Sequence, residues 1–229
     1  MKCFYVLATL GIAMVFLPAA AKEPVFQRDG ESLHVDHEGG RLTVSLSSPM
    51  LFFRDVEDGV GGVPPESIHG TLSAGEVDAA YAPVKVGETA DLEVRLLLRW
   101  EPREQVLRKW VSVKVANTSA PLVLEEILLE ELEADKLRED PRTALPRSTP
   151  VFLPGFFAGI EFPVAAVRVE DARVLVAHRP RVALEAGDTF ESRCAVYGLA
   201  KPGRERDAFH RYIEMHRPAP RGLHFNYNS

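Results

Sequence analysis

From Asp91 to Trp100 the chain reads DLEVRLLLRW and alternates almost without a break. Leu92, Val94, Leu96, Leu98 and Trp100 share one parity, Asp91, Glu93, Arg95 and Arg99 the other, and Leu97 alone is out of place. Successive side chains of a strand point to opposite faces, so this pattern predicts a long strand with one face in a core and the other mostly in water. After the turn EPRE the pattern resumes in QVLRKWVSVKVANTS, with Val111, Val113 and Val115 inward and Trp110, Ser112 and Lys114 outward. Two such runs joined by a short turn predict an antiparallel pair.

The same rhythm covers most of the chain. SLHVDH places Leu33 and Val35 on one face, RLTVSLSS does so with Leu42, Val44 and Leu46, and Gly39-Gly40 between them reads as a hairpin turn. VAAVRV, RVLVAH, RVALEAGDTF and ESRCAVYGL follow, separated by EDA, RP and EAGD. In the last run, alternation groups Cys194 with Phe190, Val196 and Gly198, opposite Glu191, Arg193 and Tyr197, which makes Cys194 a small buried apolar residue rather than a nucleophile. Short strands and tight turns without alternating helices predict an all-β, antiparallel sandwich and exclude a doubly wound fold. Residues 56–67, VEDGVGGVPPES, are a Gly/Pro-rich loop.

Two segments follow a different pattern. LVLEEILLEELEADKLREDP carries eight carboxylates against two basic residues between Glu125 and Asp140. Leu124, Ile127, Leu128 and Leu132 fit a helical stripe and the Glu/Leu content favours a helix, but a strand through LVLEEILLEEL stays open. The acidic run itself reads as a solvated face, because carboxylates scattered around one element do not converge on an ion. RDAFHRYIEMHRP places Ala208, Phe209, Tyr212, Ile213 and His216 at helical spacing, with Asp207 near the start and Pro218 as a stop.

The composition, 229 residues with 46% hydrophobic and 26% charged, suits one large domain or two small ones. A net charge of −6 without a basic cluster interleaved with aromatics argues against a nucleic-acid partner, and it suits an anionic membrane surface poorly. At the N-terminus Lys2 precedes an apolar run from Cys3 to Leu17 and then Ala19-Ala20-Ala21, the pattern of a secretory signal cleaved after Ala21. About fifteen apolar residues fall short of the roughly 20 that span a bilayer, so the expectation is export, periplasmic or extracellular, with no membrane attachment after cleavage. Cleavage removes Cys3 and leaves Cys194 without an intramolecular partner. No Gly-rich phosphate loop and no Gly-x-Ser-x-Gly elbow occurs, His34 and His37 point to opposite faces of their strand, and neither a cofactor nor a metal is expected.

Taken in order, VLRKWVSVKVANTSAPLVLEEILLEEL, then FFAGIEFPVA, a further strand pair, the amphipathic helix ending YIEMHRP, and LHFNYNS resemble the N-terminal β-supersandwich domain of melibiase-like, α-galactosidase-type glycoside hydrolases. The resemblance implies a galactose-mutarotase-like sandwich over residues 22–205, a linker helix and connector over 206–220, and over 221–229 the first strand of a (β/α)8 catalytic barrel, with Asn228-Ser229 where the family's Asn-Ser pair stands. It also favours a strand for residues 122–132. The two catalytic carboxylates of such retaining enzymes would lie beyond Ser229, so none is assigned to this chain. Leu223, Phe225 and Tyr227, selected to pack in a barrel, would lie loosely against the sandwich. The partners implied are an oligosaccharide or glycoside and the chain's own barrel.

Three residues are candidate carbohydrate contacts. Trp110 stands on the outward face beside Arg108 and Lys114, where an indole can stack on a sugar unless another layer covers it. Glu161, a carboxylate inside the apolar FFAGIEFP, would gain a raised pKa on burial, or serve as a paired structural glutamate at a strand end. His178 could join Glu161 in the kind of His/Glu acid–base pair that sugar mutarotases use. The functional expectation is a secreted accessory domain of a carbohydrate-active enzyme, against a stand-alone carbohydrate-binding or mutarotase-like sandwich, or an exported structural domain.

Overall fold

The computed structural model describes residues 23–71, 75–133, 150–161, 166–170 and 173–217. The expected signal sequence and the expected barrel strand lie outside the described residues. The strands, in chain order, are β1 (Val25–Asp29), β2 (Ser32–His37), β3 (Gly40–Ser45), β4 (Met50–Phe53), β5 (Ser67–Thr71) and β6 (Glu76–Ala80). They continue with β7 (Val84–Val86), β8 (Ala90–Glu101), β9 (Val106–Thr118), β10 (Leu122–Glu133), β11 (Val151–Leu153) and β12 (Phe156–Ile160). The remainder are β13 (Ala166–Glu170), β14 (Arg173–His178), β15 (Val182–Leu184), β16 (Thr189–Glu191) and β17 (Ala195–Leu199), followed by the helix α1 (Glu205–His216).

Every described pairing is antiparallel. The long strands β8 and β9 form the centre of a nine-stranded sheet in the order β11-β12-β17-β9-β8-β6-β5, with β7 on β8 and β16 on β9. Opposite lie a five-stranded sheet built on β10, in the order β13-β14-β10-β15 with β4 also on β10, and the three-stranded sheet β1-β2-β3. Side chains from all three sheets meet in one core that includes Val35, Val44, Leu92, Leu96, Val111, Val113, Leu124, Ile127, Val176 and Tyr197. Over the described residues the fold is the expected antiparallel β-sandwich, followed by one helix.

β10 is a strand despite its helical-looking stripe, and its irregularities account for the stripe. The register of β10 slips against β4 between Leu124 and Glu126, and against β14 between Leu128 and Glu130. Each slip changes the parity of the buried residues, so Leu124, Ile127, Leu129 and Leu132 can all be buried on one strand. In the described part of the acidic run, Glu126 and Glu130 are buried rather than on a solvated face. Glu126 is bonded by Arg168 at 2.7 Å and by Arg179, Glu131 meets Arg173 at 2.7 Å, and Glu125 meets Arg54 at 2.7 Å. The cations come from strands and loops distant in sequence, which is why the run looks unbalanced when read alone.

β17 also departs from simple alternation. Tyr197, on the polar parity in sequence, is fully buried in the main core, whereas Val196 faces the other way into a second cluster under α1. Residues 192–194 are not in a strand, so Phe190 packs on the main core while Cys194 packs on the second cluster.

Candidate functional site

The helix α1 lies on the outer face of the nine-stranded sheet. Ala208 and Tyr212 pack there with Val106, Phe157 and Val196, and Phe209 meets Phe157 edge-on with ring centroids 5.3 Å apart. Gly198 makes this packing possible, because a Cβ there would run into the Phe157 ring. The buried carboxylate of Glu205 ties the first turn to the sandwich by accepting from the backbone amides of Gly155 and Gly203, each at 3.0 Å. The expected apolar stripe is only partly covered: Ile213 is 41% exposed and His216 is exposed, since the helix rests on its Ala208–Tyr212 side.

A polar cluster joins the last turns of α1 to the sheet. Arg108 Nε donates to Glu161 Oε1 at 2.9 Å, and Nη2 donates to Glu104 Oε2 at 2.7 Å. The Tyr212 hydroxyl donates to the same Glu161 oxygen. His216 Nε2 lies 3.3 Å from Arg108 Nη2 and 3.6 Å from Glu104 Oε1. Burial works against the Arg108 charge, but the Glu104 and Glu161 carboxylates more than offset it and hold its pKa above the ordinary value. Burial, followed by the bond to Glu161, raises the Tyr212 hydroxyl. The Cys194 thiol is pushed up to about 11, by burial first and then by the Glu161 carboxylate. A thiol in that state is not a nucleophile at neutral pH.

Glu161 lines a cleft of about 490 Å³ between α1 and β12, together with Phe157, Ile160, Phe209, Tyr212 and His216 among others. Trp110 lies on the same outer sheet face, opposite Leu97 of β8, and is half-buried with the Arg99 guanidinium 5.5 Å from its ring centroid. His178 belongs to the five-stranded sheet. It is buried, stacked on Phe190 at 5.8 Å, with Nδ1 accepting from the Arg193 amide at 3.3 Å. Burial, assisted by the Arg193 charge, lowers its pKa. The structure thus sets Trp110 and Glu161 on one sheet face and His178 on another sheet, each with its own bonding partners. Among the described residues no group of three or more His, Cys, Asp and Glu side chains could hold a metal ion.

The most deeply buried ion pair among the described residues lies elsewhere, in the main core. Lys109 and Glu130 pair at 2.9 Å, with side chains 1% and 3% exposed, and Lys109 Nζ also donates to the Ser45 carbonyl at 2.8 Å. Lys109 shares the parity of Val111, Val113 and Val115, so alternation does place it inward. Nothing local identifies its partner, which comes from the opposite sheet. Arg108 and Tyr212 were likewise invisible as partners of Glu161, because three separate elements bring them together.

No protein-family model matches the chain, and no curated protein matches it. Among solved structures, one named as a kojibiose phosphorylase from human microbiome superposes with a TM-score of 0.47 at 10% sequence identity, covering 87% of this chain and 29% of that one. The chain therefore spans less than a third of that protein's length.

Proposed function

We propose that this chain is the exported N-terminal accessory sandwich of a glycoside-hydrolase-type enzyme, without chemistry of its own, and that α1 leads from it to a (β/α)8 catalytic barrel. The observation that carries this reading is the state of Glu161, the best acid–base candidate. One of its oxygens accepts from both Arg108 and Tyr212, so the carboxylate fastens the connecting helix to the sheet. A carboxylate oxygen already taken up by two donors is not free for a substrate, and His178 is buried against Phe190 rather than offered to one. The order of strands resembling the α-galactosidase-type sandwich supports the sugar-related role. In this role Trp110 offers a ring to a glycoside on the outer face, Glu161 fastens α1 beside it, and His178 supports the loop at Arg193.

The test is to express the reading frame that continues past codon 229 and to compare it with the present chain on aryl α-galactosides. The extended product should hydrolyse a glycoside that the chain alone leaves intact. A frame that stops directly after Ser229 would contradict the accessory reading. Tryptophan fluorescence during titration with galactosides reports on Trp110, and an emission unchanged at saturating sugar would remove it as a stacking platform.

A further inference from the structure

On the side of α1 away from Glu161 a cleft of about 590 Å³ opens between the helix, the β8–β9 turn and the β2–β3 turn. Its charges are unevenly satisfied. The three carboxylates that line it are each engaged: Glu38 by Lys201 at 2.9 Å, Glu104 by Arg108 at 2.7 Å, and Glu214 by Arg217 at 2.7 Å. Arg103, on the turn, and Arg211, on the helix, line the same cleft and have no ion pair, hydrogen bond or ring contact among the described residues. Every other described arginine has one. In a chain with 33 acidic and 27 basic side chains, two guanidiniums left over at one cleft are a selective feature.

The His37 ring lines the same cleft. His37 Nδ1 accepts from the Gly39 amide at 3.1 Å, which assigns the proton to Nε2. That Nε2–H is the one buried side-chain polar atom without a partner among the described residues, and His37 lines this cleft. Burial lowers the pKa of the ring and so favours its neutral form. Phe157, Leu199 and Met215 supply an apolar wall.

We propose that this cleft binds a small organic anion, a carboxylate or phosphate group carried on a body with an apolar face such as that of a sugar. The guanidinium fork matches both oxyanions in two-point geometry, the volume falls in the range of small-molecule sites, and the apolar wall takes the carbon face of the ligand. The site shares Glu104 and Phe157 with the Glu161 side of the helix, but its proposed ligand contacts, Arg103 and Arg211, do not depend on the accessory-domain reading.

The test is calorimetric titration of the full chain with glucuronate, glucose 6-phosphate, inorganic phosphate and glucose at low salt. At least one organic anion should bind saturably, and tighter than both glucose and inorganic phosphate. The preference between glucuronate and glucose 6-phosphate separates a carboxylate from a phosphate ligand. Arg103→Gln with Arg211→Gln should weaken that binding by at least about tenfold, the scale of losing charge-assisted hydrogen bonds. Because neither arginine has a described contact, the unliganded variant should melt at the wild-type temperature. The proposal is overturned if no organic anion saturates below about 10 mM, weaker than the usual range of specific sites. It is equally overturned if inorganic phosphate binds as tightly as the organic anions, or if the double variant binds like the wild type.

Discussion

Replacing Lys109 with methionine should destabilise the sandwich by about 3–5 kcal/mol, the usual cost of breaking a buried ion pair from one side. Lys109 and Glu130 are 1% and 3% exposed and lie 2.9 Å apart between opposing sheets, so solvent screens them little. In the variant the Glu130 carboxylate keeps the Ser45 and Glu131 amides, each at 3.3 Å, and the Tyr197 hydroxyl at 3.4 Å, all long contacts. The Ser45 carbonyl loses its Lys109 donor as well. Glu130→Gln keeps an acceptor for these donors but removes the charge opposite Lys109, and about 3 kcal/mol is expected from the same source. With Lys109→Met and Glu130→Leu combined, no charge is buried. What remains is the Ser45 carbonyl without its Lys109 donor, at about 1–3 kcal/mol, together with the Tyr197 hydroxyl and the Ser45 and Glu131 amides, whose contacts to Glu130 were already long. The double variant should therefore be much less damaged than the sum of the single variants. Urea unfolding followed by circular dichroism, with m values compared, measures all three. A Lys109→Met variant within 1 kcal/mol of wild type, with m unchanged, would refute the account of this pair.

Other consequences are local. Tyr212→Phe removes one of the two donors to Glu161 and should cost about 1–2 kcal/mol; hydrogen exchange should speed up in α1 and not in β8 or β9, and uniform exchange would contradict the latch. His37 and His178 both have pKa values lowered from 6.5, so the folded state prefers them neutral and the unfolded state binds more protons. Their contribution to stability is complete above pH 6.5 and is lost as pH falls from there toward their folded values; replacing His178 with asparagine should flatten that part of the profile. Cys194, with its thiol up at about 11, should react with iodoacetamide at pH 8 far more slowly than a free thiol does, and reaction at the free-thiol rate would show that the half-buried cysteine is not held under α1 as described.

The parts of the fold that could be read in the sequence are those governed by one strand and its two faces. Leu92 to Trp100 and Val111 to Val115 lie inward as their alternation requires, and Gly39 lies in the β2–β3 turn. Where two strands share a bulge, single-strand parity fails, as in β10, whose buried leucines imitate a helix because the register slips twice. Where a strand is covered on both sides, alternation says nothing about which face is wet. Tyr197 and Val196 are both buried, one under the opposite sheet and one under α1. Charge is the least local property of all. The carboxylates of residues 125–131 look like a solvated stripe until Arg54, Lys109, Arg168 and Arg173 reach them from elsewhere. Glu161 follows the same rule: its sequence context marked it as unusual, and only the fold supplied Arg108 and Tyr212.

The most direct test of a sandwich without chemistry of its own is polarimetry of freshly dissolved α-glucose and α-galactose with the purified chain. The account predicts mutarotation at the rate of buffer alone, for wild type and for Glu161→Gln alike. An acceleration that grows with protein concentration and disappears in Glu161→Gln or His178→Asn would contradict it, because those side chains would then be acting on a sugar rather than holding α1 and the core in place.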